Sequence, residues 1–158
     1  MNMAVDNEDQ KTQLINEQIQ VVAFQLGNEE YAVDIINVQE INRLLNITRV
    51  PRSPDYIDGV VNLRGNIIPV INLHKKFNMD ITSEDEDTRI IVFQFEDVKA
   101  GIIVDKVSEV LHLNISDIEA TAKVYNSIDA EIIKGVARVE DRLLILLDLQ
   151  KLLGIDII

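Results

Sequence analysis

The 158-residue sequence predicts an all-β fold made from two copies of one small barrel unit. Three observations carry this expectation. Apolar residues make up 47% of the chain but aromatic residues only 4%, so the core must be built from Ile, Val and Leu, whose branched members pack well on a pleated surface. The apolar residues fall in short runs bounded by polar turns, with no long stretch of helical period. The whole pattern then begins again after residue 88.

Residues 1–17 carry Asp6, Glu8, Asp9 and Glu17 against Lys11 and read as a flexible acidic tail. Order is expected from Ile19. Val22, Phe24 and Leu26 alternate with Ala23 and Gln25, Gly27-Asn28 turns the chain, and Tyr31-Ala32-Val33 returns, so 19–34 reads as a hairpin. A third strand-like piece follows at Val38-Gln39-Glu40-Ile41, then a variable connection over 42–56. Residues 57–73 form the second hairpin: two β-branched runs flank Asn62-Leu63-Arg64-Gly65-Asn66, with Gly59 in the first run. This places a permanently charged guanidinium at the tip of a strand pair.

Residues 79–88 hold five acids and no base, the composition of a linker. Beyond it, Ile91-Val92-Phe93-Gln94-Phe95 echoes Val22-Ala23-Phe24-Gln25-Leu26. Without a gap, Ile35, Val38, Glu40 and Ile41 fall on Val104, Val107, Glu109 and Val110, and the 57–73 hairpin falls on 133–149. The expected units are therefore 19–83 and 88–154 inside one domain spanning 18–158. Either copy alone, at roughly 60–70 residues, would be only marginally stable. Helix is expected only as short turns: one opened by Ser116-Asp117-Ile118-Glu119, one by Asn126-Ser127, one at 148–153 before Gly154, and its counterpart at 72–77.

Charge and motifs narrow the function. A net charge of −12 disfavours binding to phosphate backbones or to anionic membranes, and so disfavours the alternative of a small nucleic-acid-binding barrel, which also lacks an aromatic stacking platform. The chain has no Cys, so it has no disulfide and no thiolate chemistry. Residues 1–17 do not read as a signal peptide, no apolar run is long enough to span a bilayer, and a cytoplasmic location is expected. The six glycines are too widely spaced for a phosphate loop, His74 and His112 stand alone, and no serine sits in a nucleophile elbow. No enzyme, metal site or cofactor is expected; what remains is surface. Val38, Ile41, Val107 and Val110 admit two readings, core or an apolar groove between the units. Arg64 is either a free turn residue or the partner of Glu40, an ion pair that would fix the third strand against the hairpin. The second hairpin carries Arg138-Val139-Glu140-Asp141 at its tip, so the fold by itself does not demand an arginine there.

At these residues the chain resembles the CheW family of chemotaxis coupling proteins. The resemblance covers roughly 18–154. Four segments carry it: Phe24-Gln25-Leu26-Gly27 with Glu29-Glu30-Tyr31; Val38-Gln39-Glu40-Ile41; Gly59-Val60-Val61-Asn62-Leu63-Arg64-Gly65 with Ile68-Pro69-Val70-Ile71-Asn72-Leu73; and Gly101 to Val107 with Glu109-Val110-Leu111. It implies two SH3-like five-stranded β-barrels and a non-catalytic adaptor. The implied partners are the cytoplasmic tips of methyl-accepting chemoreceptors, the regulatory domain of the histidine kinase CheA, and other CheW copies within receptor arrays. It implies receptor contacts at Val38, Glu40, Arg64, Val107 and Val110, with Asn62, Gly59 and Gly65 shaping the hairpin. A kinase-facing surface is expected on the 44–57 connection, at Leu44, Ile47 and Val50. With no room for a kinase core or a receiver module, the chain is expected to be the standalone adaptor.

Overall fold

The computed structural model describes residues 17–80, 84–119 and 131–154. Residues 1–16 of the expected tail and the turn at Asn126-Ser127 lie outside them, as do 81–83 of the acidic linker. The architecture is all-β in two sheets. The first half of the chain supplies β1 (Gln18–Leu26), β2 (Glu29–Asp34), β3 (Val38–Arg43), β4 (Ile57–Leu63) and β5 (Asn66–Asn72), then a one-turn helix, α1 (Leu73–Lys76). The second half supplies β6 (Arg89–Phe95), β7 (Val98–Val104), β8 (Lys106–Asn114), β9 (Ile118–Glu119), β10 (Ile133–Val139) and β11 (Arg142–Leu147), then α2 (Leu149–Leu152). Both helices start on a side-chain cap at matching places. Asn72 accepts from the Lys75 amide and Asp148 from the Lys151 amide, satisfying one orphan donor of each first turn.

The sheets are not the two halves of the sequence. One runs β8-β1-β2-β11-β10-β9 and the other β3-β6-β7-β5-β4. The first hairpin of each half has crossed into the sheet built from the remaining strands of the other half. The expected division at 19–83 and 88–154 therefore describes the repeat, not the sheets. The exchange is reciprocal. β2 pairs in parallel with β11 and β5 with β7, while β1 pairs antiparallel with β8 and β3 with β6. A register slip recurs at equivalent points, between Ala23 and Phe24 in one sheet and between Val38 and Glu40 in the other.

Burial explains the exchange. Val21 and Ala23 face the interior of the six-stranded sheet, while Val22, Phe24 and Leu26 face a core shared by both sheets. In the same way Ile90 and Val92 serve the five-stranded sheet, and Ile91 and Phe93 serve the shared core. A hairpin apolar on both faces must be covered on both, and only a position between two layers does that. The expected alternation over 22–26 is thus only partial, because Ala23 is as fully buried as its neighbours. Phe24, Tyr31 and Phe77 stack through the shared core with centroids 6.1 and 6.0 Å apart.

One expected helical turn is absent. Residues 116–119 divide between a 3-10 turn, Ile115–Asp117, and β9. Asn114 makes no side-chain cap, whereas Ile118 and Glu119 pair with Ala137 and Val136 at the sheet edge. The first half holds the same contact as an isolated bridge, Thr48 to Val60.

Candidate functional site

The 57–73 segment forms the expected hairpin. Arg64 and Gly65 are its two central residues, with φ of 53° and 87°, as a two-residue turn between twisted strands requires. Asn62 Oδ1 accepts from the Gly65 amide at 3.1 Å and braces the turn. The Arg64 side chain is 80% exposed, and its Nη1 lies 3.4 Å from Glu40 Oε2. The other oxygen of Glu40 accepts from Asn42 Nδ2 at 2.6 Å, so the carboxylate is held on its own strand before it meets the arginine. Glu40 sits on β3 and Arg64 at the tip of β4, the two edges of the five-stranded sheet. The ion pair therefore spans the open seam of that sheet. At this exposure it contributes at most about 1 kcal/mol to stability.

The other sheet spans its seam differently. Arg142, at the start of β11, reaches Glu109 on edge strand β8 at 3.4 Å, and binds both oxygens of Glu30 on β2 at 2.9 and 2.6 Å. Glu109 is the counterpart of Glu40, but Arg142 lies two residues beyond the counterpart of Arg64. Aligning the copies residue by residue misses it; asking which cation can reach Glu109 would have found it. The hydrogen bonds it donates to Glu30, more than any other influence, hold the Arg142 pKa above its ordinary value. The second hairpin does without an arginine at its tip because the next strand provides one. Arg142→Ala leaves Glu30, a carboxylate 19% exposed, without its cation, and should destabilise the protein by about 1–2 kcal/mol in urea denaturation. Arg64→Ala should cost less than half of that.

The four apolar positions divide. Val38 and Val107 are half-buried, packed against the rim of the shared core. Ile41 and Val110 are exposed, at 38% and 46%. Exposed Ile67 and Leu143, equivalent residues of the two second hairpins, add apolar surface that the sequence reading did not single out. Of the residues expected on the 44–57 connection, Leu44 and Ile47 pack against the interior of the five-stranded sheet, and Val50 is exposed. Gly59 has φ of 148° and lies under the Thr48 carbonyl, with no room for a side chain. His74 is buried, its Nε2 2.7 Å from Asp105 Oδ1, while Asp105 Oδ2 accepts from the Gly27 amide at 2.7 Å, joining α1 to the first hairpin. Among the described residues no cluster could hold a metal ion, and no helix is long and apolar enough to cross a membrane.

Comparison with known proteins gives this arrangement its relatives. The family model described as a CheW-like domain matches residues 20–156. The chain belongs to the CheW family. It is 44% identical to chemotaxis protein CheW of Klebsiella aerogenes over 83% of this chain and 79% of that one. It is 40% identical to chemotaxis protein CheW of Treponema pallidum over 87% and 83%. The crystal structure of the scaffolding protein TtCheW from Thermoanaerobacter tengcongensis superposes with a TM-score of 0.77 at 37% identity, covering 83% of this chain and 84% of that one. As a CheW-family member the protein is a non-catalytic chemotaxis scaffold.

Proposed function

We propose that this CheW-family chain couples methyl-accepting chemoreceptors to the histidine kinase CheA, working in the cytoplasm and attached to receptor arrays through protein contacts alone. The observation that carries this reading is the Arg64–Glu40 pair. Glu40 is anchored by Asn42, while most of the Arg64 guanidinium stays open to solvent. An arginine held in place by one carboxylate keeps donors free for a partner's backbone carbonyls or acids. Val38 and Val107 on the core rim, with Val110 exposed beyond, supply the apolar contact beside which a receptor helix would lie. The kinase would meet the 44–57 connection, with Val50 as the contact and Leu44 and Ile47 as its support from within.

Arg64→Ala tests the reading, because loss of so exposed a pair should move the thermal midpoint by only a few degrees. The folded variant, and equally Val38→Met, should fail to support receptor-controlled kinase activity in a reconstituted assay. Normal activation by a folded variant would remove that residue from the site. Co-sedimentation of the wild-type chain with a receptor signalling fragment, with and without CheA, tests the whole reading; failure to bind either partner refutes it.

A further inference from the structure

Residues 43–76 reverse the charge of the chain. They hold six basic residues against two acids, in a protein of net charge −12. Three of the cations converge on a cavity of about 370 Å³ at the start of β4, lined by Arg49, Arg52 and Lys75 together with Asp55, Asp58 and the apolar edge of Val50.

The three cations are not equivalent. Lys75 Nζ is 2.8 Å from Asp58 Oδ1, and Asn72 Nδ2 donates to the other Asp58 oxygen at 3.0 Å, so that pair neutralises itself within the wall. Arg49 and Arg52 are exposed and make no hydrogen bond or ion pair among the described residues. Arg52 also has φ of 68°, a left-handed conformation that costs about 1 kcal/mol or more in a residue with a side chain. The loop nevertheless holds it there. Thr48 and Val60 exchange backbone hydrogen bonds at 2.8 and 2.9 Å, the Ile57 amide donates to Pro54 O at 3.0 Å, and Ser53 Oγ donates to Val50 O at 2.8 Å. Pro51 and Pro54 remove further freedom. The cavity is thus preformed, and binding to it incurs little ordering cost.

Its charge selects the occupant. Three cations against two carboxylates leave one positive charge in excess. That balance suits a single carboxylate, which an arginine fork can take in two hydrogen bonds. A doubly charged phosphate would instead lie against Asp55 and Asp58. Exposed Val50 at the rim favours a carboxylate carried on a protein surface over a free anion. The cavity and Arg64 lie at opposite ends of β4, roughly 20 Å apart along a seven-residue strand. A partner at one end leaves the other end free.

We propose that the Arg49–Arg52 pocket seats an Asp or Glu side chain of the kinase regulatory domain, and so fixes which way the kinase docks. This rests on the adaptor reading above. The test is calorimetric titration of the full chain with the CheA regulatory domain at 50 and 300 mM salt, beside co-sedimentation with a receptor fragment. Arg49→Ala/Arg52→Ala should keep its thermal midpoint and its receptor binding. Its affinity for the kinase should fall ten-fold or more at 50 mM salt, with a shallower salt dependence. Arg49→Lys/Arg52→Lys, which keeps charge but loses the fork, should fall between that variant and wild type. Wild-type kinase affinity in the alanine variant overturns the pocket assignment and leaves the adaptor standing. Loss of both partners by the wild-type chain overturns the adaptor reading and the pocket with it. Saturable submillimolar binding of inorganic phosphate, abolished in the alanine variant, makes the pocket a free-anion site and also overturns the proposal.

Discussion

Cut within the acidic 84–87 loop, neither half of this protein is expected to fold alone, and mixing the two should restore the native structure. Each sheet takes its two central strands from the other half: β6 and β7 lie between β3 and β5, and β1 and β2 between β8 and β11. A half that instead closed on its own hairpin would still leave Phe24, Tyr31 and Phe77, or Ile91, Phe93 and Ile102, facing water. Each such side chain forfeits about 1.5–3 kcal/mol of burial, and a unit of this size has little stability to lose. The measurement is circular dichroism and heteronuclear NMR of each purified half and of the mixture. A dispersed, cooperative spectrum from either half alone would show that the shared core is not what holds the fold. The same reasoning predicts a single unfolding transition for the intact chain, with both sheets melting together.

Gly59→Ala should be the most damaging of the glycine substitutions, destabilising by about 4 kcal/mol in urea titration. A Cβ built there falls on the Thr48 carbonyl oxygen and 2.8 Å from Ile47 Cγ2, and φ is 148°. The carbonyl cannot step aside without breaking the Thr48–Val60 bridge that pins the 44–57 connection to β4. Gly135, its counterpart, meets a movable side-chain atom, Ile118 Cγ2, at 2.7 Å, and Glu119 O at 3.0 Å. Its substitution should cost about half as much. Gly65→Ala meets nothing within 4 Å and should show only the strain of its positive φ, about 1 kcal/mol. If Gly59→Ala proved no worse than Gly65→Ala, the close packing of the connection on β4 would be wrong. Since the same bridge holds the loop of the Arg49–Arg52 cavity, the proposed kinase docking there requires that Gly59→Ala also weaken kinase binding where the variant remains folded.

Much of the site could be read directly. Asn62, Arg64 and Gly65 announce a tight turn with a charge at its tip, and Glu40 is the acid that the repeat and the third strand offer as a partner. The capped helices at 73–76 and 149–152 follow from Asn72 and Asp148 standing just before them. Misreadings arose where a local rule met a non-local demand. Ser116 and Glu119 have capping-box spacing, but a sheet edge beside them offered Ile118 a strand partner, and pairing won over one isolated turn. How far Leu44 and Ile47 turn inward was equally beyond local reading: both are half-buried against the five-stranded sheet, a demand set by strands far from them in sequence. Arg142 escaped notice because its role depends on side-chain reach across the sheet rather than on repeat position.

By itself, the sequence determined the hairpins, their turns, the two capped helices and the duplication, because each is set by chemistry within a few residues: branched Cβ atoms, glycines at positive φ, an oxygen before a first turn. Only the tertiary structure decided which hairpin joins which sheet, because a hairpin has the same internal pattern wherever it docks. That choice depends on covering two apolar faces at once, and on ion pairs such as Arg142 with Glu30, whose partners lie 112 residues apart. It is also what brings Val38 and Val107, one from each half, to the rim of a single core.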